Sequence, residues 1–219
     1  LEGVFVIKRI VIHALGFITI ALGIAALITS RLGASPADAF HYFLSEISPI
    51  KIGTYAIITS FVLAFVSYML ERKKDIMIGF LFSIILGVFI NIWLDSFFTL
   101  FSLTFLNNLL VRIILAVSAI VLIALGTSMT LITKLPTSPY DRMMVIISRR
   151  TKSISLAKLI VESSFMVFAL TMGFIAASIN PSIRIWDQIF VFTFLLMILV
   201  GPVIHIFVYL FNQLQRKEV

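Results

Sequence analysis

The chain has 219 residues, of which 61% are hydrophobic and only 12% are charged, and its formal net charge is +7. A soluble domain is usually about 45–50% apolar and about 25% charged, so this composition excludes an ordinary soluble protein and indicates that most of the chain lies in a bilayer. Cysteine is absent, which excludes disulfides and cysteine metal sites.

Six segments are apolar and long enough to cross a membrane, because about 20 residues rising about 1.5 Å each span its hydrocarbon core. The predicted spans are Ile10–Thr29, Ile52–Leu70, Ile76–Leu94, Leu109–Thr133, Ile154–Ile179 and Trp186–Phe211. The short polar link E-R-K-K-D joins the second span to the third, which predicts a helical hairpin. In the first span, the small residues Gly16, Thr19, Gly23 and Ala26 fall at helical spacing and predict close packing against another helix. The expected fold class is therefore an all-α polytopic membrane protein.

The basic residues are distributed unevenly between the loops. If the N-terminus is cytoplasmic, thirteen of the seventeen Lys and Arg residues lie on the cytoplasmic side, and Arg31, Lys51, Arg112 and Arg184 lie outside. Loops rich in Lys and Arg stay in the cytoplasm in most membrane proteins. The pattern predicts a multi-pass protein with both termini cytoplasmic, and it accounts for the net charge without a nucleic-acid partner.

Two connections carry the same pattern. A shift of 103 residues places R-L-G-A-S-P-A-D, which begins at Arg31, on K-L-P-T-S-P-Y-D, which begins at Lys134. Seven of eighteen positions are identical between residues 21–38 and residues 124–141. We therefore expect two repeats within one membrane domain, residues 1–107 and residues 108–219, with three spans each. Because three is odd, the second repeat would enter the membrane upside down, which is the inverted topology of many secondary transporters.

Ser-Pro-x-Asp has the features of a helix start. Serine suits the N-cap, proline suits the first helical position, and aspartate suits the positive end of the helix dipole. The residues are Ser35, Pro36 and Asp38 in the first copy, and Ser138, Pro139 and Asp141 in the second. Each copy predicts an amphipathic helix of about three turns, which is too short to span and either lies in the interface or re-enters the protein. Either the aspartates only cap interfacial helices, or the helix starts face a cavity in which Arg31 and Lys134 favour an anionic group. In such a cavity, uncapping during transport could instead free Asp38 or Asp141 to bind a proton or a cation.

Charged residues at membrane depth are the other site candidates. An ionised carboxylate there costs roughly 2.5–3.5 kcal/mol, so Glu162 in the fifth span should face the interior of the bundle. Lys158 lies one helical turn earlier. The two side chains either form a salt bridge near the interface, or Glu162 contacts substrate or a proton.

Further polar and helix-breaking residues occur in the third and sixth spans. Asn91 is predicted to be buried, and His205 either makes an interhelical hydrogen bond or belongs to a binding site. Pro202 should kink or break the sixth span, because it lacks the backbone N–H of a helix interior. The candidate hinge residues are Pro36, Pro139, Gly201 and Pro202.

These motifs together resemble a known family. L-G-A-S-P-A-D in the first connection, S-P-Y-D in the second, Lys158 with Glu162 in the fifth span, and Gly201 with Pro202 in the last resemble the bacterial YczE/YyaS/YitT-type integral membrane proteins. The resemblance covers most of the chain in the same order. It implies a protein of the bacterial cytoplasmic membrane that is expected to be a transporter, and it supplies no substrate.

The leading functional hypothesis is a small secondary transporter of a small polar or anionic metabolite, with proton coupling as one option. The alternatives are a substrate-binding membrane subunit of an energy-coupling-factor-like importer, and a regulatory or assembly protein. An enzyme is not expected, because the chain has no H-E-x-x-H motif and no cysteine, and no nucleotide-binding loop is present. No metal or cofactor is expected; the expected partners are the lipid bilayer, a small-molecule substrate and, as an option, a second copy of the chain.

Overall fold

The computed structural model describes residues 2–100 and 106–217, and every regular element in these ranges is helical. In chain order the helices are α1 (Glu2–Ser30), α2 (Pro36–Glu46), α3 (Ile52–Glu71), α4 (Asp75–Ile92), α5 (Leu109–Ile132), α6 (Pro139–Thr151), α7 (Ile154–Ile179), α8 (Ile185–Gln188) and α9 (Val191–Lys217). A π-helical turn (Trp93–Phe97) and a 3-10 turn (Phe98–Leu100) continue α4.

Six helical stretches among the described residues are long and apolar enough to cross a membrane, and they coincide with the six predicted spans. Many of the fully buried core residues are alanines, such as Ala21 and Ala116, whereas the large side chains of Phe65 and Phe174 are more than half exposed. Lipid solvates large apolar side chains, and small ones let helices approach closely, so this distribution is that of a polytopic membrane protein.

Helices α1 and α5 pack along each other at the centre of the bundle. A methyl group added to Gly16 would lie 2.8 Å from the carbonyl oxygen of Gly126, and one added to Gly23 would lie 2.9 Å from that of Ala119. The close packing predicted at Gly16 and Gly23 is thereby confirmed. Adding 103 to the residue number turns Gly16 into Ala119 and Gly23 into Gly126. The contact of Gly16 with Gly126 therefore corresponds to the contact of Ala119 with Gly23.

An arginine joins the two helices at each end. Arg9 Nε donates to the carbonyl oxygen of Thr133 at 2.8 Å, and Arg112 Nε donates to that of Ser30 at 2.7 Å. These two hydrogen bonds also correspond to each other, because adding 103 to the residue number turns Arg9 into Arg112 and Ser30 into Thr133. Below, the end of the bundle that holds Arg9 and Thr133 is called the Arg9 end, and the opposite end the Arg112 end.

Helices α3 and α4 form the predicted hairpin, with Arg72 in the left-handed conformation just after α3. Their backbones approach most closely at Gly53, where an added methyl group would lie 1.9 Å from the carbonyl oxygen of Gly87. Asn91 lies at the same crossing, because its Oδ1 accepts from the backbone N–H of Gly53 at 2.8 Å and its Nδ2 donates to Thr54 Oγ1 at 3.2 Å. Asn91, predicted to be buried, is only half-buried, because it lies where the hairpin crossing borders the surface, and it is a hydrogen-bonding residue of the helix pair.

The interruption of the last span lies elsewhere than expected. Helix α9 runs without a break through Pro202, whereas the chain leaves the helical conformation at Ile189 and Phe190. The backbone on either side of this break pairs with the first connection, since Ala34 N donates to the Gln188 oxygen at 2.7 Å and Phe192 N donates to the Leu32 oxygen at 3.1 Å. These hydrogen bonds explain the break before α9, while the exposed Pro202 is tolerated within the helix.

Candidate functional site

Both Ser-Pro-x-Asp sequences start helices in the predicted way. Ser35 Oγ accepts from the backbone N–H of Asp38, and Ser138 Oγ accepts from that of Asp141, each at 3.2 Å. Each serine hydroxyl in turn donates to the aspartate it caps, at 2.5 Å in α2 and 2.8 Å in α6. The carboxylate therefore contacts the serine hydroxyl, whereas a standard capping box would direct it to the backbone N–H of the N-cap residue.

The two helix starts are carried away from the ends of the bundle by extended segments. Arg31 and Lys134 adopt the left-handed conformation with φ of 54° and 56° and terminate α1 and α5. Both side chains are exposed. Pro36 and Pro139, five residues further on in each copy, are fully buried. The basic residues thus stay at the surface, and the structure does not bring them to the buried helix starts.

Both short helices pack against α7. The ring of Phe165 on α7 lies 6.2 Å from that of Phe40 on α2 and 5.5 Å from that of Tyr140 on α6. The ring of Phe40 also lies 5.8 Å from that of Phe168. The starts of α2 and α6 therefore meet on one side of α7, although α2 follows the Arg112 end of α1 and α6 follows the Arg9 end of α5.

The acidic residues of the three helices form one electrostatic group. Burial raises the pKa of Asp38 to about 6; the Ser35 hydroxyl opposes this rise, and the nearby carboxyl of Glu162 adds to it. Burial likewise raises the pKa of Asp141, against the lowering effects of the Ser138 hydroxyl and the Lys158 ammonium. We call Asp38, Tyr140, Asp141, Lys158 and Glu162 the carboxyl cluster.

Glu162 is the central residue of the carboxyl cluster. Its side chain is close to Lys158, to the Tyr140 hydroxyl and to Asp141. Only 8% of Glu162 is exposed, and its buried Oε2 has no hydrogen-bond partner. The proposed salt bridge is not formed within 4.0 Å, because Lys158 Nζ instead donates to the carbonyl oxygen of Met197 on α9 at 3.2 Å. A buried carboxylate oxygen without a donor carries a desolvation cost, so this atom is available to a ligand or a proton.

The remaining candidates lie outside the carboxyl cluster. Asn91 belongs to the crossing of α3 and α4, as described above. His205 is exposed on α9, as are Gly201 and Pro202. A methyl group added to Gly201 would have no neighbour within 4 Å. The structure therefore groups the acidic candidates with the two serine caps and leaves the α9 candidates on the outer surface of the bundle.

An ionic cluster at the Arg9 end ties α6 to the hairpin of α3 and α4. Glu71 Oε2 accepts from Arg142 Nε at 2.5 Å, Glu71 Oε1 pairs with Arg149, and Arg142 Nη1 lies 3.4 Å from Asp75 Oδ2. The side chains of Glu71 and Arg142 are only 7% and 17% exposed. Removing one partner of a buried ion pair leaves an unpaired buried charge, so this cluster fixes the position of α6.

A cleft of about 370 Å³ opens at the other end of the bundle. Its lining includes Ile28, Tyr42, Ser45, Lys51, Asn91 and Asp95. Lys51 Nζ and Asp95 Oδ2 pair across it at 2.6 Å, and both side chains are at least half exposed. Tyr42 lies one helical turn beyond Asp38 on α2, so the cleft reaches toward the carboxyl cluster from the Arg112 end.

Sequence reasoning did not select several residues that the structure places at the site. Tyr140 lies inside the second Ser-Pro-x-Asp motif, so its position in that motif was the available signal. Phe165 follows Glu162 by three residues and shares its helix face, but an aromatic residue in an apolar span is ordinary and gave no signal. The two arginine partners of Glu71 lie on α6, 71 and 78 residues further along the chain, and no local pattern reveals them.

The Asp38→Asn substitution is expected to stabilise the protein above pH 6. The pKa of Asp38 in the folded protein is about 6 and its ordinary value is 3.8, so its contribution to stability is fully present below pH 3.8 and is lost as the pH rises through 6. Asparagine avoids the buried charge and still accepts from Ser35. The gain at pH 8 relative to pH 4 should be on the order of 2 kcal/mol. Thermal unfolding of detergent-solubilised protein at both pH values measures it, and an equal effect at the two pH values would contradict the prediction.

The fold and the site define a polytopic α-helical membrane protein in which two capped helix starts meet at a buried carboxyl cluster. The chain belongs to the family described as "Family of unknown function (DUF6198)", whose model matches residues 7–215. This membership, with the relatives below, confirms the YczE/YyaS-type resemblance.

Two relatives from Bacillus subtilis (strain 168) are similar to this chain. The protein named "Uncharacterized protein YyaS" is 33% identical over 159 residues, which cover 72% of this chain and 78% of that protein. The one named "Uncharacterized membrane protein YczE" is 30% identical over 137 residues, which cover 62% of this chain and 61% of that protein, so the chain spans about three fifths of that relative. No solved structure matches the chain.

Proposed function

We propose that the chain is a small secondary transporter whose binding site is the carboxyl cluster. The observation that carries the proposal is the meeting of α2 and α6 on the same side of α7, beside the unpartnered Oε2 of Glu162. An ionisable residue inside a membrane protein is costly and marks a substrate or ion pathway. Many transporters bind their substrates near the interface between two repeats, at the ends of helices that do not cross the whole membrane.

An inverted repeat is part of the proposal. The exchange of the Arg9–Thr133 and Arg112–Ser30 hydrogen bonds by the 103-residue shift supports a two-fold relation between the halves of the chain. The packing of α2 on α7 and of α6 on α3 supports it too, because the same shift relates α3 to α7. In such an arrangement, two halves of similar structure can open the same central site alternately to either side.

The two ends of the bundle differ in a way that fits one state of such a cycle. The ionic cluster of Glu71, Asp75, Arg142 and Arg149 closes the Arg9 end, while the cleft beside Tyr42 opens at the Arg112 end. We place the Arg9 end and both termini in the cytoplasm, because loops rich in Lys and Arg stay there in most membrane proteins. In this proposal the structure corresponds to an outward-facing state, and the chain acts as a carrier with no catalytic step.

Transport by the reconstituted full chain tests this function. Uptake of radiolabelled ammonium compounds, amino acids and carboxylates into proteoliposomes is measured with an imposed pH gradient of either sign. At least one class should enter the vesicles, and a trapped pH-sensitive dye shows whether its entry is coupled to protons. The Glu162→Gln variant should reduce its uptake about tenfold or more, because the central ionisable group is lost.

The matched control is Asp187→Asn, which neutralises a carboxylate that pairs with Arg184 at 3.6 Å, outside the carboxyl cluster. It should transport like the unsubstituted chain. Absence of uptake for the whole panel under both gradients would refute the transporter, as would equal uptake by the Glu162→Gln and Asp187→Asn variants.

A further inference from the structure

The carboxyl cluster contains more acidic than basic groups. Asp38, Asp141 and Glu162 contribute three carboxyls, and the nearby ammonium of Lys158 is turned toward the Met197 carbonyl oxygen. His41, on α2 one turn after Asp38, adds no positive charge, because burial lowers its pKa to about 3. Asp38 and Asp141 offset the positive ends of α2 and α6, and Glu162 has no ionic partner within 4.0 Å in the part of the chain that the structure describes, so the site attracts a positive charge and repels an anion.

Aromatic rings adjoin the carboxyls. Tyr140 links the carboxyls to the aromatic rings, because its hydroxyl is near Glu162 and its ring lies 5.5 Å from that of Phe165. Phe40, two residues after Asp38, contacts Phe165 and Phe168. The face of an aromatic ring attracts cations, most strongly those that carry few bound water molecules, such as substituted ammonium groups.

We infer that the carboxyl cluster binds a small organic cation, whose ammonium group lies between Glu162 Oε2 and the rings of Tyr140, Phe165 and Phe40. This inference rests on the proposed function and names the substrate class of the same site. It replaces the anionic metabolite expected when Arg31 and Lys134 were placed at the helix starts, because both side chains lie at the surface.

A metal ion fits the site less well. Among the described residues, no group of three His, Asp or Glu side chains is close enough to hold one. Metal ions prefer several oxygen or nitrogen ligands, whereas the neighbours of the carboxyls include the rings of Tyr140 and Phe165. An ammonium group carrying methyl substituents needs no such ligand shell and gains from contact with the rings.

Binding to the full chain in detergent, without any gradient, tests the inference. Thermal unfolding and calorimetric titration are measured with choline, with its uncharged isostere dimethylbutanol and with acetate, each at pH 8. Choline should raise the unfolding midpoint and give a saturable titration, whereas dimethylbutanol and acetate should do neither. The Glu162→Gln and Phe165→Leu variants should each weaken choline binding about tenfold, and Asp187→Asn should leave it unchanged.

The variants are compared only where their unfolding midpoint without ligand shows a folded protein. If Glu162→Gln does not fold, Tyr140→Phe takes its place, because it keeps the ring and removes only the hydroxyl near Glu162. Equal responses to choline and dimethylbutanol, or a response to acetate alone, would overturn the inference. Choline binding without transport by proteoliposomes would sustain the inference and refute the proposed function.

Discussion

The Glu71→Gln substitution is expected to lower the free energy of unfolding by about 3 kcal/mol, because it leaves two arginines without their shared carboxylate. Glu71 is 7% exposed, Arg142 is 17% exposed, and both of the Glu71 oxygens pair with arginines of α6. Glutamine keeps the size of the side chain but not its charge, so the buried guanidinium of Arg142 loses most of its compensation. Unfolding in mixed micelles titrated with SDS measures the change.

The control for Glu71→Gln is Asp95→Asn at the opposite end of the same hairpin. The Lys51–Asp95 pair has a distance of 2.6 Å, but its side chains are 62% and 50% exposed. An exposed pair contributes about 1 kcal/mol or less, so this variant should be nearly as stable as the unsubstituted chain. Equal effects of the two substitutions would show that burial of the ionic cluster does not fix α6.

The Glu71→Gln substitution also has a functional readout. Because the chain contains no cysteine, a Thr137→Cys substitution introduces a single labelling site just before the start of α6. If the ionic cluster closes the Arg9 end, adding Glu71→Gln should increase the rate of maleimide labelling at this position severalfold. An unchanged labelling rate in a folded protein would mean that the ionic cluster stabilises the fold without closing this end.

The Gly53→Ala substitution is the second change with a large expected effect. The new methyl group would lie 1.9 Å from the carbonyl oxygen of Gly87 and 2.8 Å from Asn91 Oδ1. The first neighbour is backbone, which cannot rotate away, so α3 and α4 must separate. Overpacking of this kind typically costs about 1–3 kcal/mol, and we expect the upper part of that range in SDS unfolding. The hydrogen bond from Gly53 N to Asn91 should weaken as well.

The Gly201→Ala substitution is a matched control, and its expected effect on stability has the opposite sign. No atom lies within 4 Å of the methyl group that it would add, and the site is within α9. Alanine is favoured over glycine in a helix interior by roughly 0.5–1 kcal/mol, so Gly201→Ala should be neutral or stabilising. Destabilisation at both positions would indicate that the close approach at Gly53 is not the cause.

Much of the fold follows from local sequence. The six spans are predictable because hydrophobic length alone decides whether a helix can cross a membrane. Both short helices are predictable because Ser, Pro and Asp satisfy the helix start with contacts that span three residues. The break in the last span was wrongly predicted at Pro202, because the sequence shows that proline lacks a backbone N–H. It does not show that the backbone of Ala34 pairs with that of Gln188.

Individual residues of the candidate site could be predicted, but which of the predicted residues lie together could not. Glu162 could be selected as a costly carboxylate in an apolar span, and Asp38 and Asp141 as parts of the Ser-Pro-x-Asp helix starts. The structure brings these three residues together beside α7. Arg31 and Lys134 were selected as cations near these helix starts and His205 as a polar residue at membrane depth, but the structure leaves all three exposed. Charge type and depth along a helix do not specify the direction in which a side chain points, so sequence alone could not separate the two groups.

The sequence by itself determined that this protein lies in a membrane, where its spans and short helices begin, and that its connections repeat after 103 residues, because each of these depends on composition or on neighbours along the chain. Only the tertiary structure decided that the starts of α2 and α6 face α7, that Lys158 is directed to α9, and that Glu71 secures α6. These arrangements join segments far apart in the chain, and they depend on how closely glycines such as Gly16 and Gly53 let the helices pack.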